Sequence, residues 1–183
     1  ISRDINKGIH YFSLAAKQDY PIALYYLGII YLTGEFLSRD ISKAIYYLSL
    51  AASKHFSEAQ YILGMIYSSE EYISQNINKA IYYFTLAANQ KHSIAQYNLG
   101  IIYYFGLNTE KNIKKGKYYI ILSSKNGLRT ANFAHGFLLH EGKYEKRDIH
   151  EAIHYYKEAS TFYNQYAKNN LGIIYKSGFH DII

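Results

Sequence analysis

The sequence predicts an all-α solenoid of antiparallel helix pairs with a 36-residue period, and three observations carry that expectation. Glycines recur at Gly28, Gly64, Gly100, Gly136 and Gly172, each 36 residues after the last, with no insertion or deletion between copies. Each sits inside the skeleton Ala-x-x-x-Leu-Gly-x-x-Tyr, which begins at Ala23, Ala59, Ala95 and Ala167 and, in decayed form, at Ala131. A second segment opens on an Asx residue followed by isoleucine in all five copies, from Asp4-Ile5 to Asp148-Ile149. A fixed period of 20–50 residues marks a chain in which each repeat buries its apolar face against the next.

The first helix of each repeat carries the Ala-x-x-x-Leu-Gly-x-x-Tyr skeleton. Pro21 suits its first turn, where a missing N–H costs nothing, and Ser57 and Ser93 hold the matching places. Gly34, Gly106, Gly142 and Gly178 are suited to a left-handed cap at its end, and Glu70 in the second copy predicts a different turn there. The second helix starts at Asp4, Asp40, Asn76, Asn112 or Asp148, whose short side chains accept from the unpaired amides of the first turn. It continues with a small residue (Gly8, Ala44, Ala80, Gly116, Ala152) and, three residues on, an invariant tyrosine (Tyr11, Tyr47, Tyr83, Tyr119, Tyr155). It ends in a small pair, Ala51-Ala52 for example, replaced by Ser123-Ser124 in one copy. The spacing makes one apolar stripe at helical period. A helical glycine costs about 1 kcal/mol relative to alanine, so the column of five costs about 5 kcal/mol. That is offset if a neighbouring helix backbone approaches where alanine would not fit.

These segments give one array over 1–183: a second helix at 4–18, full repeats near 20–55, 56–91, 92–127 and 128–163, and a further first helix at 164–178. The chain opens and closes in mid-pattern, which predicts a fragment of a longer protein with more repeats or other domains beside it. Half of the residues are apolar, enough for a sizeable core, and there is no cysteine to build a disulfide framework or a thiolate metal site. No apolar run reaches the length of a membrane span, and no signal-peptide pattern is visible. A cytoplasmic setting is the expectation. The net charge is +6, and Lys111, Lys114, Lys115, Lys117, Lys125 and Arg129 crowd one stretch without an acid.

The full pattern is met at Ala23, Leu27, Gly28, Tyr31, Gly34, Asp40, Lys43, Ala44, Tyr47, Ala51 and Ala52, and it resembles the Sel-one-like repeat, a relative of the tetratricopeptide repeat. The resemblance covers the whole chain. It implies a right-handed α/α superhelix used as a scaffold or adaptor for protein complexes, with the first helix of each repeat on the concave side. The family's glycine before the first helix survives only as Gly127, with Asp19, His55, Lys91 and Tyr163 in its place elsewhere. In the fourth copy His135 replaces the leucine and Leu139 the tyrosine.

Comparison of the copies with one another separates framework from freedom. Positions 22, 26, 32 and 33 of the first helix change freely, and 22, 26, 29 and 33 share one face at 100° per residue. The candidate partner-binding residues on and beside that face are Tyr25, Tyr26, Tyr61, Ile62, Tyr97, Asn98, Tyr104, Phe133, His140, Asn169 and Asn170. Aromatic rings and asparagines supply contact area and adaptable hydrogen bonds to a protein or peptide. The aromatic column serves equally well as packing between repeats, so both readings stand at this level. Lys111, Lys114, Lys115 and Lys117 form a candidate patch for an acidic partner.

Two other function classes meet the sequence less well. A single-stranded RNA-binding helical repeat would carry basic residues throughout the array, whereas the basic run here occurs once. A zinc hydrolase would use His150-Glu151-x-x-His154, which matches H-E-x-x-H. In register, however, those residues fall in columns of ordinary outward positions (Asn6, Ser42, Asn78 and Lys114 for His150), and no third ligand is evident, although Glu158 lies on the same helix face. The expectation is a scaffold without catalysis, cofactor, metal or membrane insertion in this segment.

Overall fold

The computed structural model describes residues 5–142, 148–161 and 164–178. The Asp4 cap and the Tyr163 position lie outside them. Ten helices and no strand occur among the described residues: α1 Ile5–Ala16, α2 Pro21–Thr33, α3 Ile41–Ser53, α4 Ser57–Ser68, α5 Ile77–Asn89, α6 Ser93–Phe105, α7 Ile113–Lys125, α8 Arg129–Glu141, α9 Ile149–Ser160 and α10 Gln165–Lys176. The fold is an all-α helical repeat. By its contacts the chain divides into two units, 1–95 and 96–183, which are described separately.

The helix starts follow the sequence reading. Asp40, Asn76, Asn112 and Asp148 each accept the amide of the residue three positions on, at 2.9, 3.0, 2.9 and 2.9 Å. The amide of each cap residue in turn donates to a carbonyl nine residues back, at Tyr31, Tyr67, Tyr103 and Leu139, which ties the connection to the preceding helix. Gly34, Gly106 and Gly142 have φ of 69°, 72° and 60°, the left-handed cap. The second copy does turn differently: α4 ends on Ser69 in extended conformation, and Gln75 donates to the Ser68 carbonyl.

In unit 1 the core gathers Leu24, Leu48, Ala51, Ala59, Leu63 and Ile66, with α2 packed on α3 and α4 on α5. A Cβ at Gly28 would lie 2.6 Å from Leu48 Cγ, and one at Gly64 2.5 Å from the Phe84 ring. The glycine column makes room for a side chain of the following helix and for its backbone, since a Cβ on Gly100 would lie 3.0 Å from the Ile120 amide nitrogen and one on Gly136 3.2 Å from the Ala152 carbonyl oxygen. The small column of the second helix is tighter still: a Cβ on Gly116 of α7 would lie 2.6 Å from the Tyr104 amide nitrogen of α6.

The tyrosine columns pair across helices within each repeat. Tyr31 stacks on Tyr47 and Tyr67 on Tyr83, with centroids 5.8 and 5.7 Å apart and planes within 4°. Tyr103 and Tyr119 repeat the stack in unit 2 at 6.2 Å. A lysine from the first turn of the second helix caps each pair: Lys43 over Tyr31, Lys79 over Tyr67 and Lys115 over Tyr103. The fourth copy loses both members together, Leu139 replacing the tyrosine and Glu151 the lysine. Leu139 is buried beside Ile149, Ala152 and Tyr156 instead.

The core of unit 2 is also more polar. His135 is 4% exposed, its Nδ1 lies 3.2 Å from the Ser124 hydroxyl, and that hydroxyl donates to Asn132 Oδ1 at 2.8 Å. The Tyr155 ring covers the imidazole at 4.0 Å between centroids. So Ser124 at the end of α7 and Asn132 and His135 of α8 form one bonded set.

Candidate functional site

The first helices present their variable face with apolar side chains left in solvent. In unit 1 these are Ile22, Tyr26 and Met65, and in unit 2 Phe105, Phe137 and Ile173. Met65, Phe137 and Ile173 belong to one repeat column with Ile29 and Ile101, on the same helix face as positions 22, 26 and 33. The sequence puts position 29 on that face, but its always apolar column holds none of the candidate residues. The signal that finds it is its place on the wheel between two variable positions.

The predicted residues do not all remain free for a partner. Tyr26 is exposed and stacks on Phe12. Tyr25 is half-buried against Phe56, Tyr61 stacks on His92 at 4.7 Å, and Ile62 packs against the unit 1 core. Burial pushes the Tyr25, Tyr61 and Tyr97 hydroxyls up from their ordinary value, so they stay neutral. In unit 2 three predicted residues converge on the buried Tyr156. Asn170 Nδ2 donates to its hydroxyl at 3.0 Å, His140 Nδ1 lies 3.4 Å from the same oxygen, and the Phe133 ring is 5.9 Å from its ring. Burial first, and Glu141 to a lesser degree, raise the Tyr156 hydroxyl to about 12 against the opposing Asn170 bond. Asn98 and Tyr104 are partly exposed and Asn169 is exposed.

Between α6 and α8 the unit 2 face opens into a cavity of about 220 Å³. Tyr97, Ile101, Tyr104 and Phe105 form one wall, Phe133, Ala134, Phe137 and Leu138 the other, and Ile120 of α7 the floor. Its origin is legible by column. Ala134 is smaller than Tyr26, Ile62, Asn98 and Asn170.

The lysine cluster is not one patch. Lys117 is 5% exposed, in the column otherwise held by Ile9, Ile45, Ile81 and Ile153, and is therefore removed from the acidic-partner surface. Lys115 donates to the Tyr103 hydroxyl at 2.8 Å. Lys111 and Lys114 are exposed at the start of α7, whereas Lys125 is its last residue, more than about 15 Å away at 1.5 Å per residue, and Arg129 opens α8.

The Ser124 proton points to Asn132 and away from His135, inside the core. His150, Glu151 and His154 are all exposed on α9, and His154 meets Tyr155 edge-on. No group of three or more His, Cys, Asp or Glu gathers for a metal ion among the described residues. No described helix is long and apolar enough to cross a membrane.

Comparison with known proteins agrees with the repeat. A crystal structure of a Sel1 repeat protein from Oxalobacter formigenes superposes with a TM-score of 0.85 at 25% identity, covering 97% of this chain and 73% of that one. A protective antigen of uropathogenic Escherichia coli with an SLR fold gives 0.85 at 23% identity, with 93% of this chain and 36% of that one covered. Cysteine rich protein B of Helicobacter pylori gives 0.56 at 20% identity, over 75% of this chain and 99% of that one. The search of curated proteins returned no match. The Sel1 repeat profile matches residues 1–20, 21–56, 57–92, 93–128 and 130–161, and the chain belongs to the Sel1 repeat family.

Proposed function

We propose that this chain is a protein-interaction scaffold that holds a partner protein or peptide on the face of its first helices, the face the family resemblance makes concave. The observation that carries the reading is the apolar column, with Met65 38%, Phe137 41% and Ile173 52% exposed in the second, fourth and fifth copies and Ile29 and Ile101 partly exposed in the first and third. Isolated exposed apolar residues are ordinary, but a repeated set on one helix face marks a contact surface. Tyr26, Asn98 and Tyr104 flank it and supply the adaptable part of the surface. The repeat type is one commonly used as a scaffold for proteins.

A photo-crosslinking amino acid placed singly at Met65, Asn98 or Ile173 is expected to capture a partner in cells. The same group at Tyr46 or Tyr82, exposed on second helices, is expected not to. Equal capture from both sets would sink the assignment of the face.

A further inference from the structure

We propose that the cavity between α6 and α8 seats one aromatic side chain of a partner peptide whose flanking residues are acidic. This rests on the partner-binding reading above and narrows it. Size comes first: a protein cavity of about 150 Å³ lined by apolar groups holds benzene, and this one measures about 220 Å³. Composition decides between an aliphatic and an aromatic guest. Five rings face the space, those of Tyr97, Tyr104, Phe105, Phe133 and Phe137, and rings pack on rings edge-to-face or offset with gain beyond area alone.

Charge decides the flanks. Residues 96–183 carry twelve Lys and Arg against seven Asp and Glu, while 1–95 carry eight against seven. Two close approaches bring the lysine end of α7 to the Phe105 end of the cavity. Gly106 lies against Lys111, where a Cβ would be 2.9 Å from Lys111 Cβ, and Gly116 lies against the Tyr104 backbone. Lys111 is exposed there, Lys115 lies over Tyr103, and Lys114 is exposed on the outward column of α7, with Glu110 and Glu141 as the opposing charges. The balance of the whole unit is positive, which attracts an acidic segment and repels a basic one.

The protein has no tryptophan, so a peptide can carry the only indole. The probe is the acetylated, amidated pentapeptide Glu-Asp-Trp-Asp-Glu, read by its emission at low salt, with two companions: serines in place of the acids, and alanine in place of Trp. The expected result is a saturable blue shift, at least about threefold weaker binding of the serine peptide, and no competition by the alanine peptide. Ala134→Leu fills the cavity at a helix position that accepts leucine, so it is expected to weaken binding at least about tenfold with the thermal midpoint unchanged or higher. Phe105→Ser, at a largely exposed site, is the second variant and is expected to weaken binding as well.

No blue shift with the natural chain, unchanged binding in both variants, equal binding of the serine peptide, or competition by the alanine peptide would each overturn the proposal. Crosslinking at Met65 and Asn98 tests the broader reading on its own. Adducts there together with variant-insensitive peptide binding would remove the cavity and leave the scaffold. Variant-sensitive peptide binding without adducts would keep the cavity and remove the wider surface.

Discussion

The Leu63 region of unit 1 and the His135 region of unit 2 occupy the same place in their repeats and solve it with opposite chemistry. Around Leu63 the neighbours are alanines, leucine and phenylalanine, and the one buried amide, Gln60, donates to the Ala52 carbonyl and accepts from Gln90. Around His135 the alanine has become Ser124 and the glutamine Asn132, and the three side chains bond to one another. In this repeat the buried imidazole is matched by a hydroxyl partner. Departures from the motif come in sets, and Leu139 with Glu151 is a second example.

Transplanting one member of the set is the strongest way to break this comparison. Leu63→His puts an imidazole among apolar groups, and its expected cost is about 4 kcal/mol from lost packing and an unmade hydrogen bond. Adding Ala52→Ser supplies the hydroxyl and is expected to return about 1 kcal/mol. Ser124→Ala in the natural background is expected to cost about 2 kcal/mol by the same reasoning. Urea unfolding of the four chains measures all three, and a Leu63→His cost below about 1 kcal/mol would show that no matched set is needed.

The two regions also differ in the small column of the second helix, Ala80 in unit 1 and Gly116 in unit 2. Ala80 is buried with its Cβ accommodated, whereas a Cβ at Gly116 meets the Tyr104 main chain. Backbone cannot rotate aside as a side chain can, so Gly116→Ala is expected to cost about 2 kcal/mol after its gain in helix propensity. Gly172→Ala, where nothing lies within 4 Å, is expected to stabilise by about 1 kcal/mol. Thermal midpoints moving the same way for both would refute the distinction.

Helix count, caps and the fold class were legible in the sequence because each depends on residues within one period, whereas the tyrosine columns were legible as columns and their stacking was not. The Asx caps act over three residues, and a repeat displays the rule four times among the described copies. The site was legible only in outline. A wheel places residues on a face but says nothing of how far a neighbouring ring reaches across, so Asn170, His140 and Phe133 did not reveal their common partner in Tyr156. Lys117 misled because a basic side chain in a basic run reads as solvated, and only its column, otherwise isoleucine, says otherwise.

The turn between second and first helices reverses the comparison, with unit 2 nearer the family pattern. His55 ends α3 in a Schellman arrangement, its amide donating to Ala52 and that of Phe56 to Ala51, with φ of 61°. Gly127 closes α7 with the same bonds at φ 86°. A side chain in the left-handed region costs about 1 kcal/mol, so His55→Gly is expected to stabilise unit 1 by about that amount and Gly127→His to cost unit 2 the same. Matching midpoints for His55→Gly and the natural chain would mean the histidine side chain contributes interactions of equal size.

The smallest effect separates two ways of capping a first helix. His92 caps α6, its Nδ1 accepting the Ala95 amide at 3.2 Å while its ring stacks on Tyr61; Asn164 caps α10 through its Oδ1 at 3.0 Å. Only the first cap titrates. Burial holds the imidazole below its ordinary value near 6.5, with Glu58 opposing, and a proton on Nδ1 would abolish the bond to Ala95. Because the folded value is the depressed one, the unfolded chain takes up the proton first as the pH falls. The stability contributed by neutral His92 is therefore complete above the unfolded value and is lost as the solution is acidified through it toward the folded value. His92→Asn keeps an acceptor at the cap and removes the titration. The urea midpoint of the natural chain is expected to fall more than that of His92→Asn between about pH 7.5 and about pH 5. Parallel curves for the two proteins would show that the cap at α6 draws nothing from the protonation state of His92, and that the two capping modes are equivalent in acid as well as at neutrality.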